Sequence, residues 1–184
     1  FDIAQLVCGQ PLPAGPRVGI VANSDALSAL TAQAVDTWRL EITHGPVALG
    51  SEATTAEFKE ALATAASDPD VDSVIACFIP PLLTEDEDVA AAVRDAARDQ
   101  GKPVLGSLMG MRRGADDLQY TDADGVSRVV PIYSMPEDAV RALAMVTRYA
   151  QWRAADRGEL VAPVGIAKRS AQEFIDSVLA ETPE

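Results

Sequence analysis

Short runs of apolar, often β-branched residues recur along the chain and predict buried strands. The clearest are RVGIVA (17–22) and SVIACFI (73–79), in which apolar side chains follow one another without alternation. A continuous apolar run is typical of a parallel strand that is covered on both faces. Further strands are predicted at PVLGSL (103–108) and RVVPIY (128–133), with two shorter pieces at LEI (40–42) and PVAL (46–49).

Stretches with helical periodicity separate these strands. After the first strand, apolar residues recur at the three- and four-residue spacing of a helix face, at Leu27, Leu30, Ala34 and Trp38. Further helices are predicted at 54–66, at 85–100, from Pro136 to about Asp156, and from Ser170 onward. Strands and helices that alternate in this way build a parallel sheet between two layers of helices. The pattern therefore predicts an α/β, flavodoxin-like doubly wound fold with a mainly parallel five-stranded sheet and helices on both faces.

The two ends of the chain differ from its middle. Residues 1–14 are predicted to be the end of a preceding helix followed by the Pro-rich linker PLPAGP. Residues 15–157 contain the alternating strands and helices and are the predicted flavodoxin-like domain. Residues 158–184 are predicted to be a flexible connector and a short helix that leads to a following domain. Because the chain begins at Phe1, with no initiator Met and no signal-peptide pattern, we expect it to be an excerpt of a longer protein or a processed piece.

Composition narrows the classes of function. The 184 residues carry 15 Lys and Arg against 28 Asp and Glu, a formal charge of −13 at pH 7. The net negative charge argues against nucleic acid as a partner, because phosphate binding depends on clustered cations. No apolar run approaches the ~20 residues that cross a bilayer, so we expect a cytoplasmic protein with no membrane segment. Two cysteines without a CxxC spacing predict reduced thiols, and a single His leaves only carboxylates for a metal site.

Missing motifs argue against several enzyme classes. The sequence contains no GxGxxG dinucleotide fingerprint, no GxxxxGK[ST] phosphate-binding loop and no GxSxG nucleophile elbow. The third predicted strand ends at Phe78-Ile79-Pro80-Pro81 without an Asp, which argues against a phosphorylatable receiver domain. A free-standing FMN-binding flavodoxin is disfavoured as well, because no Ser/Thr-rich phosphate loop follows the first strand.

The starts of the helices indicate a binding edge. Four predicted helices begin with a Ser/Thr-x-x-Glu capping box, which satisfies the first backbone amides: Thr54–Glu57, Thr84–Glu87, Ser134–Glu137 and Ser170–Glu173. The helix entered through Asn23-Ser24-Asp25 lacks such a Glu and follows the first strand at its carboxyl end, where open α/β sheets bind ligands. Free amides and the helix dipole there suit an anion. The alternative is that Asn23 or Ser24 is simply the N-cap, and the charge of Asp25 opposes an anion.

Most other chemically capable side chains are predicted to have structural roles. His44, in the turn-like THGP, is expected to be solvent-exposed or to stabilise the turn, and Cys77 to pack inertly in the third strand. Arg112 and Arg113 follow the fourth strand as an adjacent basic pair at the binding edge, which suits an anionic group or a neighbouring domain. The helix face that contains Trp152 is expected to pack in the core, or else against a partner.

Several stretches resemble the ADP-forming acyl-CoA synthetases (acetate–CoA ligase type). The segment FDIAQLVCGQPLPAGPRVGIVANSDALSALTAQAVD (1–36) is similar to the family's junction between a phosphohistidine domain and the next domain. The most specific match is GPVALGSEATTAEFKEALATAASDPDVDSVIACFIPPL (45–82), and PEDAVRALAMVTRYAQWRAADRG (136–158) is similar to the closing helix. More weakly, the chain also resembles the C-terminal flavodoxin-like domain of the succinyl-CoA synthetase β subunit. A particularly close variety is an actinobacterial protein fused to an acetyltransferase.

The resemblance implies a stepwise reaction in the full-length protein. Acyl-CoA and phosphate give an acyl phosphate, the phosphoryl group moves to a His, and an ATP-grasp domain passes it to ADP. The family's catalytic His lies in the preceding domain and does not match His44, so no catalytic residue and no cofactor are expected here. The full-length protein would use CoA, ATP or ADP, and Mg. Its implied partners are its own CoA-binding, phosphohistidine, ATP-grasp and acetyltransferase domains, with a homodimer as a further expectation.

The resemblance also implies where this domain contributes to the active site. It would complete the phosphohistidine and acyl site from one side, through Asn23, Ser24, Asp25, Ala26, Gly50, Ser51, Pro80 and Pro81. Many relatives have glycines in place of the residues from Asn23 to Ala26, and two prolines remove backbone donors from the third-strand turn. A second hypothesis is therefore a degenerate synthetase module that serves as a CoA-sensing regulatory or scaffolding domain for a fused acetyltransferase. In either case, we expect the isolated fragment to be inactive.

Overall fold

The computed structural model describes residues 1–80, 86–110, 115–156, 158, 165 and 167–181. In chain order the elements are α1 (Asp2–Gly9), β1 (Arg17–Ala22), α2 (Asp25–Thr37), β2 (Glu41–Ala48), α3 (Thr55–Ser67), β3 (Ser73–Phe78), α4 (Asp86–Gln100), β4 (Val104–Leu108), a 3₁₀ turn (Ala115–Leu118), β5 (Gln119–Thr121), β6 (Ser127–Val129), α5 (Pro136–Ala154) and α6 (Lys168–Glu181). They form two compact units, Phe1–Ala154 and Ala155–Glu184. The domain boundaries inferred from the sequence stay a prediction.

The first unit is built on a parallel sheet of four strands in the order β2-β1-β3-β4. β1 and β3 lie in the centre, and both consist almost entirely of buried residues. β2 joins the two predicted pieces around His44 and Gly45 into one edge strand, whose register against β1 shifts at Gly19. The α/β, flavodoxin-like architecture predicted from the continuous apolar runs is confirmed.

Helices cover both faces of this sheet and enclose two apolar cores. On one face, α3 and α4 pack over side chains such as Val74, Ala76 and Phe78. The rings of Phe58 and Phe78 meet there with their centroids 4.8 Å apart. On the other face, α1, α2 and α5 cover Ile20, Ile75 and Leu105. Alternate residues of each strand therefore serve opposite cores, which explains why the strands read as uninterrupted apolar runs.

The predicted fifth strand at 128–133 is not confirmed. Residues 127–129 instead form β6, which pairs antiparallel with β5 in a separate hairpin. Beyond it, a single parallel bridge joins Ile132 to Gly106 of β4, with hydrogen bonds from the Gly106 amide to Pro131 O and from the Tyr133 amide to Gly106 O. Pro131 has no amide hydrogen to donate, so the run RVVPIY cannot build a regular ladder.

The segment before β1 belongs to the packed structure of the first unit. Leu6 of α1 is fully buried, and the Tyr133 hydroxyl donates to Asp2 O at 2.9 Å. Gln10 is also buried, and its amide nitrogen donates to Val129 O at 2.8 Å. Its Oε1 accepts a hydrogen bond from the Val104 amide at 3.0 Å. Gln10 thus links the first residue of β4 to the end of β6.

The capping predictions have mixed outcomes. Thr54 and Glu57 form the predicted reciprocal capping box at the start of α3. Ser134 does not cap α5, which begins at Pro136, and Oε2 of Glu137 is buried without a hydrogen-bond partner. Ser170 lies inside α6 rather than before it, so its predicted capping role is wrong. Thr84, of the remaining pair, lies outside the described residues.

The exposed face of α5 differs from the expectation of core packing for Trp152. Trp152 and Tyr149 are both exposed, and their rings stack with centroids 6.0 Å apart. Beside them, the Arg148 guanidinium lies over the Trp38 ring, 6.0 Å from its centroid. The described helices include none that is long and apolar enough to cross a membrane.

Candidate functional site

A cavity of about 350 Å³ lies at the carboxyl edge of the sheet, beside the ends of β1, β2 and β3. The loops after these three strands supply its lining residues, which are Asn23, Ser24, Asp25, Ala26, Gly50, Ser51, Ile79 and Pro80. The strand order runs from β1 to β2 on one side and from β1 to β3 on the other, so the chain reverses direction across the sheet here. In open α/β folds, such a switch point is the usual position of a ligand.

Asn23 joins two of these loops through its side chain. Its Nδ2 donates to Ile79 O at 2.7 Å, and its Oδ1 accepts from the Ile79 amide at 2.8 Å. The Asn23 amide in turn donates to Cys77 O at 3.3 Å. The side chain is buried, and its hydrogen bonds continue the pairing of β1 with β3 beyond the ends of the two strands. Its polar atoms are committed to Ile79, which makes Asn23 a structural clamp beneath the cavity.

Ser24 is the N-cap of α2. Its Oγ accepts from the Leu27 amide at 3.5 Å, and its carbonyl accepts from the Ser28 amide at 2.9 Å. This outcome confirms the capping alternative. Within the described part of the chain, the amides of Asp25 and Ala26 have no hydrogen-bond acceptor. The start of α2 therefore presents two backbone donors and the positive end of the helix dipole at the cavity.

The loop between β2 and α3 supplies the opposite wall. The Leu49 amide donates to Ala22 O at 2.9 Å, which holds this loop against the end of β1. Gly50 has φ of +84°, and a Cβ atom there would meet open space. The position therefore favours glycine for its backbone conformation and not for close packing. Ser51 follows as an exposed hydroxyl at the rim of the cavity.

The described residues that line the cavity are suited to binding. Among them, Asp25 is the one ionisable residue, and none is a His, Cys, Lys or Arg. Cys77, in β3 below the cavity, is buried, and burial raises the pKa of its thiol to about 11. The thiol is therefore protonated at neutral pH and is not a nucleophile. The two amide donors, two hydroxyls and one carboxylate among the described lining residues could orient a small polar group.

Seven of the eight edge residues predicted from the sequence line this one cavity. The eighth, Pro81, lies outside the described residues, as do Arg112 and Arg113. Ile79, which the sequence placed with Pro80 and Pro81 in the turn at this edge, also lines the cavity and is exposed.

His44 is not among the residues that line this cavity. It lies within β2, and its Nδ1 is 2.9 Å from Oδ2 of Asp68, the residue after α3. The hydrogen bond with His44 is the largest influence on Asp68 and holds the pKa of that carboxyl below its ordinary value. The expectation of a turn is wrong, because residues 41–48 form one continuous strand.

Comparison with known proteins identifies relatives of the chain. No family model matches it. It is 24% identical over 200 residues to 4-hydroxybutyrate–CoA ligase [ADP-forming] of Nitrosopumilus maritimus, a match that covers 98% of this chain and 28% of that protein. It is 20% identical over 175 residues to acetate–CoA ligase [ADP-forming] I subunit alpha of Pyrococcus furiosus, covering 84% and 37%. The chain is a relative of the ADP-forming acyl-CoA synthetases.

Two solved structures have the same fold as this synthetase relative. An acetyl-coenzyme A synthetase 1 of Candidatus Korarchaeum cryptofilum, in complex with phosphate and ADP, superposes with a TM-score of 0.63 at 17% identity, over 85% of this chain and 39% of that one. PH0766 from Pyrococcus horikoshii superposes with a TM-score of 0.67 at 21% identity, over 84% and 40%. The chain thus spans 28–40% of the length of these relatives.

The last feature of the site is its capacity to hold a metal ion. Among the residues that the structure describes, no cluster of three or more His, Cys, Asp or Glu side chains could hold a metal ion. Asp25 is a single carboxylate, and Mg²⁺ is usually held by one or two carboxylates together with substrate phosphates. The cavity alone therefore does not form a complete protein site for Mg²⁺.

Proposed function

We propose that this chain is a domain of an ADP-forming acyl-CoA synthetase and forms one side of the site that handles the phosphoryl or acyl group. The sequence relatives support the synthetase role, and the cavity at the switch point supports the location. By itself the domain would be inactive, because the described residues that line its cavity include no His, Cys or Lys and only one carboxylate, that of Asp25. Other domains of a longer polypeptide would bind CoA, ATP or ADP, and Mg²⁺.

The observation that carries this proposal is the start of α2. The amides of Asp25 and Ala26 have no acceptor among the described residues and line the cavity together with Ser24 and Ser51. Donors of this kind stabilise an anionic group at a helix N-terminus without any movement of the protein. A phosphorylated side chain or acyl phosphate from a neighbouring domain would fit this description.

Asp25 sets a limit on the strength of such a site. Its carboxylate occupies the first turn of α2, where its charge interacts favourably with the helix dipole and repels an incoming anion. We therefore infer that the domain positions a group held by another domain and does not capture free phosphate tightly. This reduced attraction is also the observation that favours the regulatory hypothesis, in which the phosphoryl-handling role has been lost.

The test uses the longer protein that contains this chain. Substituting Ala26→Trp would fill the cavity at the exposed second residue of α2, and Ala56→Trp is the matched control at the exposed second residue of α3. We expect Ala26→Trp to slow ATP formation from acyl-CoA, ADP and phosphate roughly 10–100-fold, because misplacing the reacting group by about 1 Å has effects of this size. Ala56→Trp should retain the wild-type rate. Equal rates for Ala26→Trp and wild type would remove this cavity from the active site.

A second measurement separates the synthetase from the regulatory module. The longer protein is incubated with γ-labelled ATP, and the phosphoenzyme is tested for the acid-labile, base-stable linkage of a phosphohistidine. Label on a His supports a working synthetase, and loss of label in Ala26→Trp would connect it to this domain. A well-folded protein that takes up no label would favour the regulatory or scaffolding role.

A further inference from the structure

Helix α5 begins without using the capping box that its sequence contains. The helix begins at Pro136, and the carbonyl of the preceding Met135 accepts a hydrogen bond from the Asp138 amide at 3.2 Å. Methionine has no side-chain oxygen that could cap the first amides. Ser134 and Glu137 have the spacing of a capping box, in which the Glu carboxylate binds the Ser amide. Oε2 of Glu137 is instead buried without a hydrogen-bond partner among the described residues.

The Glu137 side chain is turned toward the interior between α2 and α5. It is half-buried and lines a groove of about 320 Å³, together with residues that include Leu30, Ala34 and Trp38. A buried carboxylate oxygen without a hydrogen bond is unfavourable, because it has lost its contact with water and gained no donor. In a capping box, the same carboxylate would accept from the Ser134 amide. The inward position therefore satisfies the carboxylate less well than the position that the sequence pattern predicts.

Buried polar groups lie beside Cys77 on the face of the sheet that α2 and α5 cover. The Thr31 hydroxyl lies 3.4 Å from Sγ of Cys77, and Ser107 is paired with Cys77 across β3 and β4. Ser28 lies one turn before Thr31 on α2 and is buried as well. The hydroxyls of Ser28 and Ser107 have no hydrogen-bond partner among the described residues. We call these four residues the Cys77 cluster.

Glu137 lies close enough to the Cys77 cluster to act on it. Burial is the largest cause that raises the pKa of the Cys77 thiol to about 11, and the charge of Glu137 adds to the increase. Helix α5 also packs against both β3 and β4, the strands that contain Cys77 and Ser107. The Glu137 side chain thus reaches from the groove toward the cluster.

We propose that the Glu137 side chain has two positions: an inward position that closes the Cys77 cluster to solvent, and an outward position that completes the capping box with Ser134. The outward position requires the start of α5 to move back by one residue, from Pro136 to Met135. Proline is tolerated in the first turn of a helix, because no amide hydrogen is needed there. The inward position leaves Oε2 and the two serine hydroxyls unpaired, and the outward position pairs the carboxylate and admits water to the hydroxyls. This gain offsets the loss of packing, so the outward position is a populated minor state.

Alkylation of Cys77 measures the population of the outward position. In the 184-residue chain with Cys8→Ser, Cys77 is the single thiol, and its thiolate reacts with iodoacetamide by displacing iodide. The reaction is followed by mass spectrometry at fixed pH and without denaturant. We expect slow alkylation of the native protein, at a rate set by the fraction of molecules in the outward position.

Two substitutions at the capping box should change this rate in opposite directions. Ser134→Ala removes the side-chain acceptor of the outward position and should slow alkylation roughly fivefold, since the loss of an N-cap has effects of this size. Glu137→Ala removes the closing side chain and should speed alkylation roughly tenfold or more, because minor conformations are usually populated at about 10% or less. Ser127→Ala, at another exposed serine, is the matched control and should keep the rate of the parent chain.

The opposite signs distinguish this movement from a general loosening of α5. If the start of the helix simply frays, both substitutions weaken it and both speed alkylation, which overturns the proposal. An unchanged rate in Ser134→Ala also overturns it, because the inward position does not use the Ser134 hydroxyl. Ser134 is exposed, so its substitution leaves the core intact and decides the proposal even if circular dichroism shows that Glu137→Ala does not fold.

Discussion

The two edges of the central sheet use their polar side chains in opposite ways. At the amino edge, Arg17 at the start of β1 donates from its backbone amide and Nε to Oδ2 of Asp72, both at 3.0 Å, and from Nη2 to Oδ1 at 2.8 Å. The side chain of Asp72 is only 4% exposed. At the carboxyl edge, Asn23 makes the corresponding link between β1 and the end of β3, but with a neutral amide.

The difference lies in which edge leaves polar groups without a partner among the described residues. Polar and charged groups at the amino edge bind each other, as Arg17 does in an ion pair with Asp72 and His44 in a hydrogen bond with Asp68. At the carboxyl edge, a neutral clamp holds the strands together and leaves the two α2 amides and Asp25 facing a cavity. A parallel sheet can be closed at one edge by ion pairs and left open at the other, because its loops and helix N-termini collect at the carboxyl ends of the strands.

The largest loss of stability is expected when the buried carboxylate of Asp72 is removed from the amino edge. Asp72→Ala removes three charge-assisted hydrogen bonds and leaves the Arg17 amide without its acceptor. We expect the free energy of unfolding, measured by urea denaturation, to fall by about 2 kcal/mol. Asp70→Ala is the matched control, because Asp70 contacts the same Arg17 at 3.1 Å but is 77% exposed. Its loss should cost about 0.5 kcal/mol or less. Equal losses of stability in the two variants would mean that any carboxylate near Arg17 stabilises this edge, whether or not it is buried.

The same pair should make the amino edge sensitive to acid. The hydrogen bond from Arg17 is the main cause that lowers the pKa of Asp72 below its ordinary value. A lowered folded-state pKa contributes stability above the unfolded-state pKa of about 3.9, and this contribution is lost as the pH falls through the folded-state value. The stability difference between wild type and Asp72→Ala should therefore be full at pH 7 and shrink below pH 4. A constant difference would contradict this account.

A smaller loss is expected when the clamp at the carboxyl edge is removed. Asn23→Leu keeps the side-chain size but leaves the amide and carbonyl of Ile79 without their partners. We expect a loss of about 1–2 kcal/mol in urea denaturation, because both broken bonds are neutral and Ile79 is exposed enough to be hydrated. Ser51→Ala, an exposed change at the same rim, should be neutral. A loss at Asn23 that exceeds the loss at Asp72 would reverse the comparison between the edges.

The smallest effect concerns the charge at the open edge. Asp25→Asn removes the carboxylate beside the α2 amides and should strengthen phosphate binding roughly 2–5-fold, measured as a shift of the Ala26 amide signal in an NMR titration. Asp36→Asn is the control, because it removes the same charge near the other end of α2. If both variants bind phosphate equally well, the effect comes from net charge and not from the position of Asp25.

Local patterns predicted most of the fold. The bounds of β1 were predicted to the residue, and those of β3 and β4 to within one residue, because buried parallel strands carry an uninterrupted apolar run. The capping box at Thr54 was also predicted from the sequence, because Thr54 and Glu57 form its hydrogen bonds without any other part of the chain. The pattern failed at 128–133, where the hairpin of β5 and β6 and the missing amide of Pro131 replaced a fifth strand.

The sequence by itself determined the alternation of strands and helices, and with it the α/β class and the edge at which the loops after the strands collect. Those properties follow from periodicity and from the rule that parallel strands end together. Only the tertiary structure decided that Asn23 is a clamp for Ile79, that His44 pairs with Asp68, and that Gln10 is buried between β4 and β6. Each of these contacts joins residues 24 to 119 positions apart. Such contacts depend on which strands become neighbours, and no local pattern carries that information.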